Sequence, residues 1–339
     1  MLDAFFQSLR LRYRADHDRR RFLLIKAWGA GFWSDMNHVL GCLLLAEITG
    51  RVPVTHWGRN SCYCDGTTSD AFRLYFEAVS PFGIGDLEAC RDHTLFPPKW
   101  SATSLRRENN AKWQGAGSRL SGSLYLDRPE TVAVSDFYIH VPDLIPSIPR
   151  THEWYGKHYS QVYRLLAAKY LTLRSHVVAE IDDFHRNEMS GTPIIAVHVR
   201  GTDKFIEAED TGQGMPSLQS YYDVIDGEAP GWRVFLLTDQ EQYVEAFCAR
   251  YGPRMIFTDA HRSSTTIPVH LARANDRMKL GIEIVKDTYL ALRCQKFVGL
   301  GISNPSCIVS VFKDWGDRGC FLLGPSLLDI NFGRRIGRG

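Results

Sequence analysis

The run Ile194-Ile195-Ala196-Val197-His198-Val199-Arg200-Gly201-Thr202-Asp203-Lys204 decides how this chain is read. Its first part is continuously apolar apart from one histidine, as expected of a strand buried on both faces of a parallel sheet. The residues that follow bring a guanidinium, a flexible glycine, a hydroxyl, a carboxylate and an ammonium to the carboxyl end of that strand, where doubly wound sheets bind their ligands. Such a group is equipped to hold an anion. The plainer alternative is a turn in which Arg200 and Asp203 pair with each other.

Working outward, apolar residues at Val162, Leu166, Tyr170, Leu173, Val177, Ile181 and Phe184 predict one long helix from Tyr159 to Met189, ended by Ser190-Gly191-Thr192-Pro193. Downstream, Val234-Phe235-Leu236-Leu237, Met255-Ile256-Phe257 and Lys296-Phe297-Val298-Gly299 repeat the buried-strand pattern with helical segments between them. After the last of these, Asn304 is expected to cap a helix with Pro305 in its first position. Its free N–H groups and the hydroxyls of Ser303 and Ser306 would then point at the ligand cleft. Near the other end of the chain, Phe22-Leu23-Leu24-Ile25 reads as a strand and Trp28-Gly29-Ala30-Gly31-Phe32 as a turn. A helix follows from about Ser34 to Thr49, Gly50 stops it, and Val52-Pro53-Val54 is the next strand.

The fold class is therefore α/β, two Rossmann-like doubly wound domains facing a cleft. At about 150 residues per domain, 339 residues suit two. The expected division is a basic segment over 1–21, a first α/β domain on the acceptor side over 22–190, a second, ligand-binding domain over 191–330 and a basic tail over 331–339. Between Ser101 and Arg128 the sequence is polar and rich in Gly, Ser and Asn, a candidate acceptor loop.

Composition bounds the function. Hydrophobic residues make up 44% and charged ones 23%, which excludes disordered and fibrous classes, and 40 basic against 38 acidic side chains give no global field for nucleic acid. No stretch is long and apolar enough to span a membrane. Seven basic residues against three acids in the first 26, beside Leu2, Phe5, Phe6 and Leu9 at helical spacing, raise a peripheral contact with anionic lipid as an expectation. Scattered cysteines fit a reducing, cytoplasmic setting. Cys62-Tyr63-Cys64 near His56 is spaced too tightly for a zinc site. Asp16-His17-Asp18 lies among arginines before the first strand, not after an apolar strand where a metal-binding Asp-x-Asp would be expected. No metal and no cofactor are expected.

The chain resembles the α1,6-fucosyltransferases, both the animal core enzymes and the rhizobial nodulation enzymes, and more distantly the protein O-fucosyltransferases. Gly31-Phe32-Trp33-Ser34-Asp35-Met36-Asn37-His38-Val39 is similar to their Gly-Phe-Gly-Ser-x-x-His-His-Val. His198 to Lys204 is similar to their His-Val-Arg-Arg-Thr-Asp-Lys, and Thr238-Asp239 stands where they carry Thr-Asp-Asp. The interval from Asp287 to Ser303 keeps the family spacing. The resemblance implies the two-lobed GT-B architecture and transfer of a sugar, L-fucose in the family, from a GDP-sugar to a glycan or lipid-linked oligosaccharide. It also implies that Arg200 holds the β-phosphate, that Ser303 bonds the diphosphate, and that His198 and Asp287 line the guanosine site. Thr202, Asp203, Lys204, Asp239, Asn304 and Ser306 complete the implied donor site, and Gly31, Phe32 and His38 lie on the acceptor side. Guanine presents two adjacent donors that one carboxylate accepts together, which uracil does not.

Three positions depart from the family: Gly201 replaces the second arginine, Gln240 the second aspartate after Thr238, and Ala208 the proposed catalytic glutamate. Glu207, Glu209 and Asp210 are then the candidates for a general base. Two other readings compete: a sugar-nucleotide or glycan-binding relative that has lost its base, and an NAD(P)-dependent oxidoreductase suggested by Gly29-Ala30-Gly31. The latter lacks the third glycine of the fingerprint and a ribose-binding acid.

Overall fold

The computed structural model describes residues 20–89, 92–108, 122–135, 138–201, 215–265, 267–269 and 276–329. Two parallel sheets organise them. The first runs β2-β1-β4-β3, with β1 Phe22–Lys26, β2 Val52–His56, β3 Leu95–Phe96 and β4 Val132–Ser135. The second runs β7-β6-β5-β8-β9, with β5 Ile194–Val199, β6 Arg233–Thr238, β7 Met255–Ile256, β8 Lys296–Leu300 and β9 Cys320–Leu323. β1 and β5 are buried along their whole length, which is why their sequences are apolar without alternation.

Chain order reverses between β5 and β8, which lie side by side with His198 opposite Gly299. The loops leaving these strands must diverge to opposite faces of the sheet, and a crevice opens between them. Both anion-binding constellations found in the sequence, the residues after Val199 and those after Leu300, leave the sheet at this one point.

The first helix, α1 (Phe32–Thr49), is buried on nearly all sides, and Gly50 ends it in the left-handed conformation at φ 62°. Gly41 lets it pack directly on the main chain, since a Cβ there would lie 2.2 Å from the Ile139 carbonyl oxygen. The opposite side of α1 meets the second lobe. Trp33 Nε1 donates to Thr288 Oγ1 at 2.7 Å and Asn37 Nδ2 to Asn304 Oδ1 at 2.7 Å. Around α1 a single hydrophobic core runs from Leu23 and Ile25 in the first lobe to Phe235 and Phe297 in the second. The outer faces of the two sheets carry separate, smaller clusters.

The helix expected from Tyr159 to Met189 is two helices, Tyr159–Tyr170 and Ser175–Glu188. The break has a cause at long range. Segment 75–77 takes the hydrogen bonds that would continue the helix: Glu77 N donates to Thr172 O at 2.7 Å and Arg174 N to Tyr75 O at 2.9 Å, with Phe76 bridging Leu173. Lys26, counted above among the basic residues, is also corrected. It is 2% exposed, its ammonium bonded to the Leu105 carbonyl, so it belongs to the interior.

Candidate active site

A cavity of about 380 Å³ lies beyond the β5–β8 switch point, between the start of α1 and the second lobe. Arg200, at the end of β5, is its main cation, and Asp239, at the end of β6, holds it. One carboxylate oxygen of Asp239 lies 3.1 Å from Arg200 Nε and the other accepts from the Gly201 N–H at 3.1 Å. The guanidinium thus pairs with the neighbouring strand, and a single carboxylate fixes both the side chain and the turn behind it. Held in this way, Arg200 lines the cavity.

Gly201 is required by close approach. A Cβ there would lie 1.6 Å from Gln240 Oε1. Gln240 is 1% exposed, its Nε2 donates to Thr265 O at 3.1 Å, and its Oε1 has no partner among the described residues. Two of the departures from the family pattern, at 201 and 240, are therefore one steric event.

The next element is the helix α9 (Asn304–Phe312), where the expected cap is off by one residue. Ser303 is the N-cap and makes no side-chain capping bond, while Asn304 is already helical. Asn304 turns to Asn37 across the lobes. The Ser303 hydroxyl is fully buried, in a residue that lines the cavity, and has no hydrogen-bond partner among the described residues, at the positive end of a helix. Ser306 does not line the cavity. Its hydroxyl lies 2.6 Å from His198 Nδ1, and His198 does line it. Burial, reinforced by Arg200, lowers the His198 pKa to about 4, so the ring is neutral at pH 7.

The deep end of the cavity belongs to α8 (Arg277–Arg293), on which Glu283 and Asp287, four residues apart, face the same space. Asp287 accepts from Thr258 Oγ1 at 2.6 Å. Burial raises its pKa to about 6, against the lowering effects of that hydrogen bond and of Arg262. Glu283 accepts from the His261 N–H at 3.0 Å. Sequence reasoning missed Glu283 and Thr258. The four-residue spacing of Glu283 and Asp287 was a usable signal, whereas nothing local marked Thr258.

On the first lobe Gly31 and Phe32 line the cavity, but His38 does not. His38 is fully buried, bonded to Ser135 Oγ at 2.9 Å and to the Ile139 N–H at 3.2 Å, and burial lowers its pKa to about 3. With Cys42 beside Ser135, the thiol pushed up to about 12 by burial, the group ties α1 to β4. Its nucleophiles are inert by the same burial.

Three N–H groups of the glycine turn before α1 are occupied within the chain. Gly29 N and Ala30 N both donate to Asp35 at 3.1 Å, and Phe32 N donates to the Tyr63 hydroxyl at 2.8 Å. Asp35, itself fully buried, stands where a pyrophosphate would have to sit, so this turn is closed to a dinucleotide.

Thr202, Asp203, Lys204, Glu207, Glu209 and Asp210 lie outside the described residues, as do residues 109–121 of the candidate acceptor loop. Among the described residues no group of three or more His, Cys, Asp or Glu is placed to hold a metal ion, and no helix is long and apolar enough to cross a membrane.

No protein-family model and no curated protein sequence matches the chain. Solved structures do. A NodZ α-1,6-fucosyltransferase co-crystallised with GDP is 21% identical, with a TM-score of 0.55, over 87% of this chain and 93% of that one. POFUT1 in complex with GDP-fucose is 13% identical, TM-score 0.55, over 90% and 98% of the two chains. A mutant of Arabidopsis thaliana FUT1 with GDP is 12% identical, TM-score 0.54, over 91% and 71%. Two parallel-sheet lobes meeting at a cleft, covered nearly end to end by these enzymes, give the chain the GT-B-type fold of fucosyltransferases.

Proposed function

We propose that this protein is a metal-independent, inverting glycosyltransferase that moves a sugar from GDP to a hydroxyl of a glycan or lipid-linked oligosaccharide. L-Fucose is the sugar that the resemblance favours. One observation carries the reading: a held guanidinium, a buried hydroxyl at a helix N-terminus with no partner among the described residues, and a buried carboxylate on α8 share one cavity at the switch point. Arg200 and the start of α9 suit a diphosphate, and Asp287 suits the paired N–H donors of guanine at the far end. The NodZ and POFUT1 structures that share the fold were obtained with GDP and GDP-fucose.

In the reaction the bond from the sugar C1 to the β-phosphate oxygen breaks and its electron pair leaves with GDP. The acceptor oxygen attacks C1 from the opposite face and its proton passes to a base, for which Glu207, Glu209 and Asp210 are the candidates. Charge grows on the departing diphosphate where Arg200 and the α9 N-terminus supply a fixed positive field, the task that a divalent cation performs in other transferases. A single displacement turns a β-linked GDP-L-fucose into an α-fucoside.

The test is mass spectrometry of products from the purified protein with a panel of GDP- and UDP-sugars and oligosaccharide or lipid acceptors, in EDTA. Turnover of a GDP-sugar without added metal is expected, with inversion read from the anomeric proton coupling. Strict dependence on Mg²⁺ or Mn²⁺ would overturn the mechanism. Binding of GDP-sugar without turnover would assign the non-catalytic role.

A further inference from the structure

Ser306 was expected to point at the ligand, and the structure turns it inward. It sits in the first turn of α9, fully buried, with its hydroxyl 2.6 Å from His198 Nδ1. Gly299, opposite His198 in the sheet, makes this reach possible: a Cβ there would lie 2.5 Å from Ser306 Oγ. The hydroxyl and the imidazole are thus clasped over a bare strand.

We propose that Ser306 is a positioning residue that holds His198 as the neutral tautomer with its proton on Nε2, presenting that N–H to the cavity as a donor to an acceptor atom of the bound nucleotide. The argument is one of hydrogen-bond satisfaction. A serine hydroxyl carries one proton, and a buried proton left without an acceptor is costly. Among the described residues the only hydrogen-bond partner of Ser306 Oγ is His198 Nδ1. If Nδ1 carried the ring proton and donated to Oγ, the hydroxyl proton would be stranded in a fully buried site. The satisfied arrangement has Ser306 donating to a bare Nδ1, which leaves the ring proton on Nε2. The imidazolium, which would also force Nδ1 to donate, is opposed by burial and by Arg200 two residues away.

Nε2 makes no hydrogen bond to the described residues, and His198 lines the cavity beside Arg200 and Ser303. A neutral donor at that point suits a phosphate, ribose or purine acceptor atom, and it discriminates against a ligand that offers a donor there. Only the identity of the ligand rests on the proposed function. The tautomer itself follows from the packing.

Long-range ¹H–¹⁵N correlation spectra of the ligand-free protein, with the His198 ring assigned through His198→Asn, read the tautomer directly. The wild type should carry the proton on Nε2 at neutral pH. Ser306→Ala, which keeps a good helix former in the first turn, should lose the tautomer preference and weaken GDP binding about tenfold, the worth of one hydrogen bond. A proton on Nδ1 in the wild type, or an unchanged tautomer and unchanged GDP affinity in Ser306→Ala, would overturn the proposal. If the wild type shows the Nε2 tautomer but binds no GDP, the nucleotide reading of the cavity fails while the Ser306–His198 assignment stands.

Discussion

Arg200 is the residue on which the proposed chemistry leans most. Arg200→Ala should lower transfer at least about a hundredfold, since one lost oxyanion-type donor costs about 3 kcal/mol. Arg200→Lys should recover little, because an ammonium has neither the flank that Asp239 grips nor the fork that a phosphate meets. A fully active alanine variant, measured by steady-state transfer, would remove Arg200 from the site. Asp287 makes a two-sided prediction. Its pKa, raised by burial to about 6, means that the folded protein holds a proton between the ordinary carboxyl value of 3.8 and 6 that the unfolded chain has released. Stability attributable to this group therefore falls as pH rises through that window and stays lower above it. Asp287→Asn should raise the melting temperature at pH 7 and have much less effect at pH 4. The same substitution should weaken GDP binding by about 1.5–3 kcal/mol and leave UDP binding unchanged. In the wild type GDP affinity should drop as pH falls through 6. Calorimetry that finds equal losses for both nucleotides would make Asp287 a structural residue. Arg200 was legible as a candidate because it leaves a buried strand at the carboxyl end of a parallel sheet, although an ion-paired turn was an equal reading and the structure pairs it with Asp239. Asp287 was reached only through family spacing, since an acid on a helix is ordinarily solvated.

At the scale of elements, the strands were the most legible parts, because burial on both faces leaves a continuous apolar run that little else produces. β5 was read to the residue. The helix over 159–189 was misread because periodicity is blind to competition for backbone hydrogen bonds from residues 75–77. The cap of α9 was misplaced because Asn304 has the right chemistry but is engaged with Asn37, a partner 267 residues away in sequence. The turn after β5 offers the sharpest test at this scale. Gly201→Ala should destabilise the protein by about 1–3 kcal/mol, the cost of overpacking, because Gln240 fills the space. Gln240→Ala should open that space, so the double variant should be more stable than the sum of the two single effects predicts, with a coupling of about 0.5–3 kcal/mol in denaturant melts. Strict additivity would mean that Gln240 moves aside freely.

Seen whole, the molecule sets its cavity between the two lobes, beside a glycine turn whose Gly29 and Ala30 N–H groups are taken by Asp35. Asp35 performs within the chain the role an anionic ligand would have at the glycine turn, so Asp35→Ala should weaken the fold without creating NAD(P) affinity, as fluorescence titration would report. For the basic residues before β1 the expectation is contact with anionic lipid. Deleting residues 1–20 should abolish co-sedimentation with anionic liposomes while sparing turnover of a soluble acceptor, given about 1 kcal/mol per basic side chain near such a surface. A full-length protein that ignores these liposomes at low salt would end that expectation. The core that runs from Leu23 through α1 to Phe297 has a bearing on the history of the gene. Many two-lobed enzymes are open to recombination between their halves, each half being a viable unit. Here a crossover between the two sheets would separate α1 from α9 and leave each product with an uncovered apolar face, prone to aggregate on synthesis. The two lobes are therefore viable only as a pair.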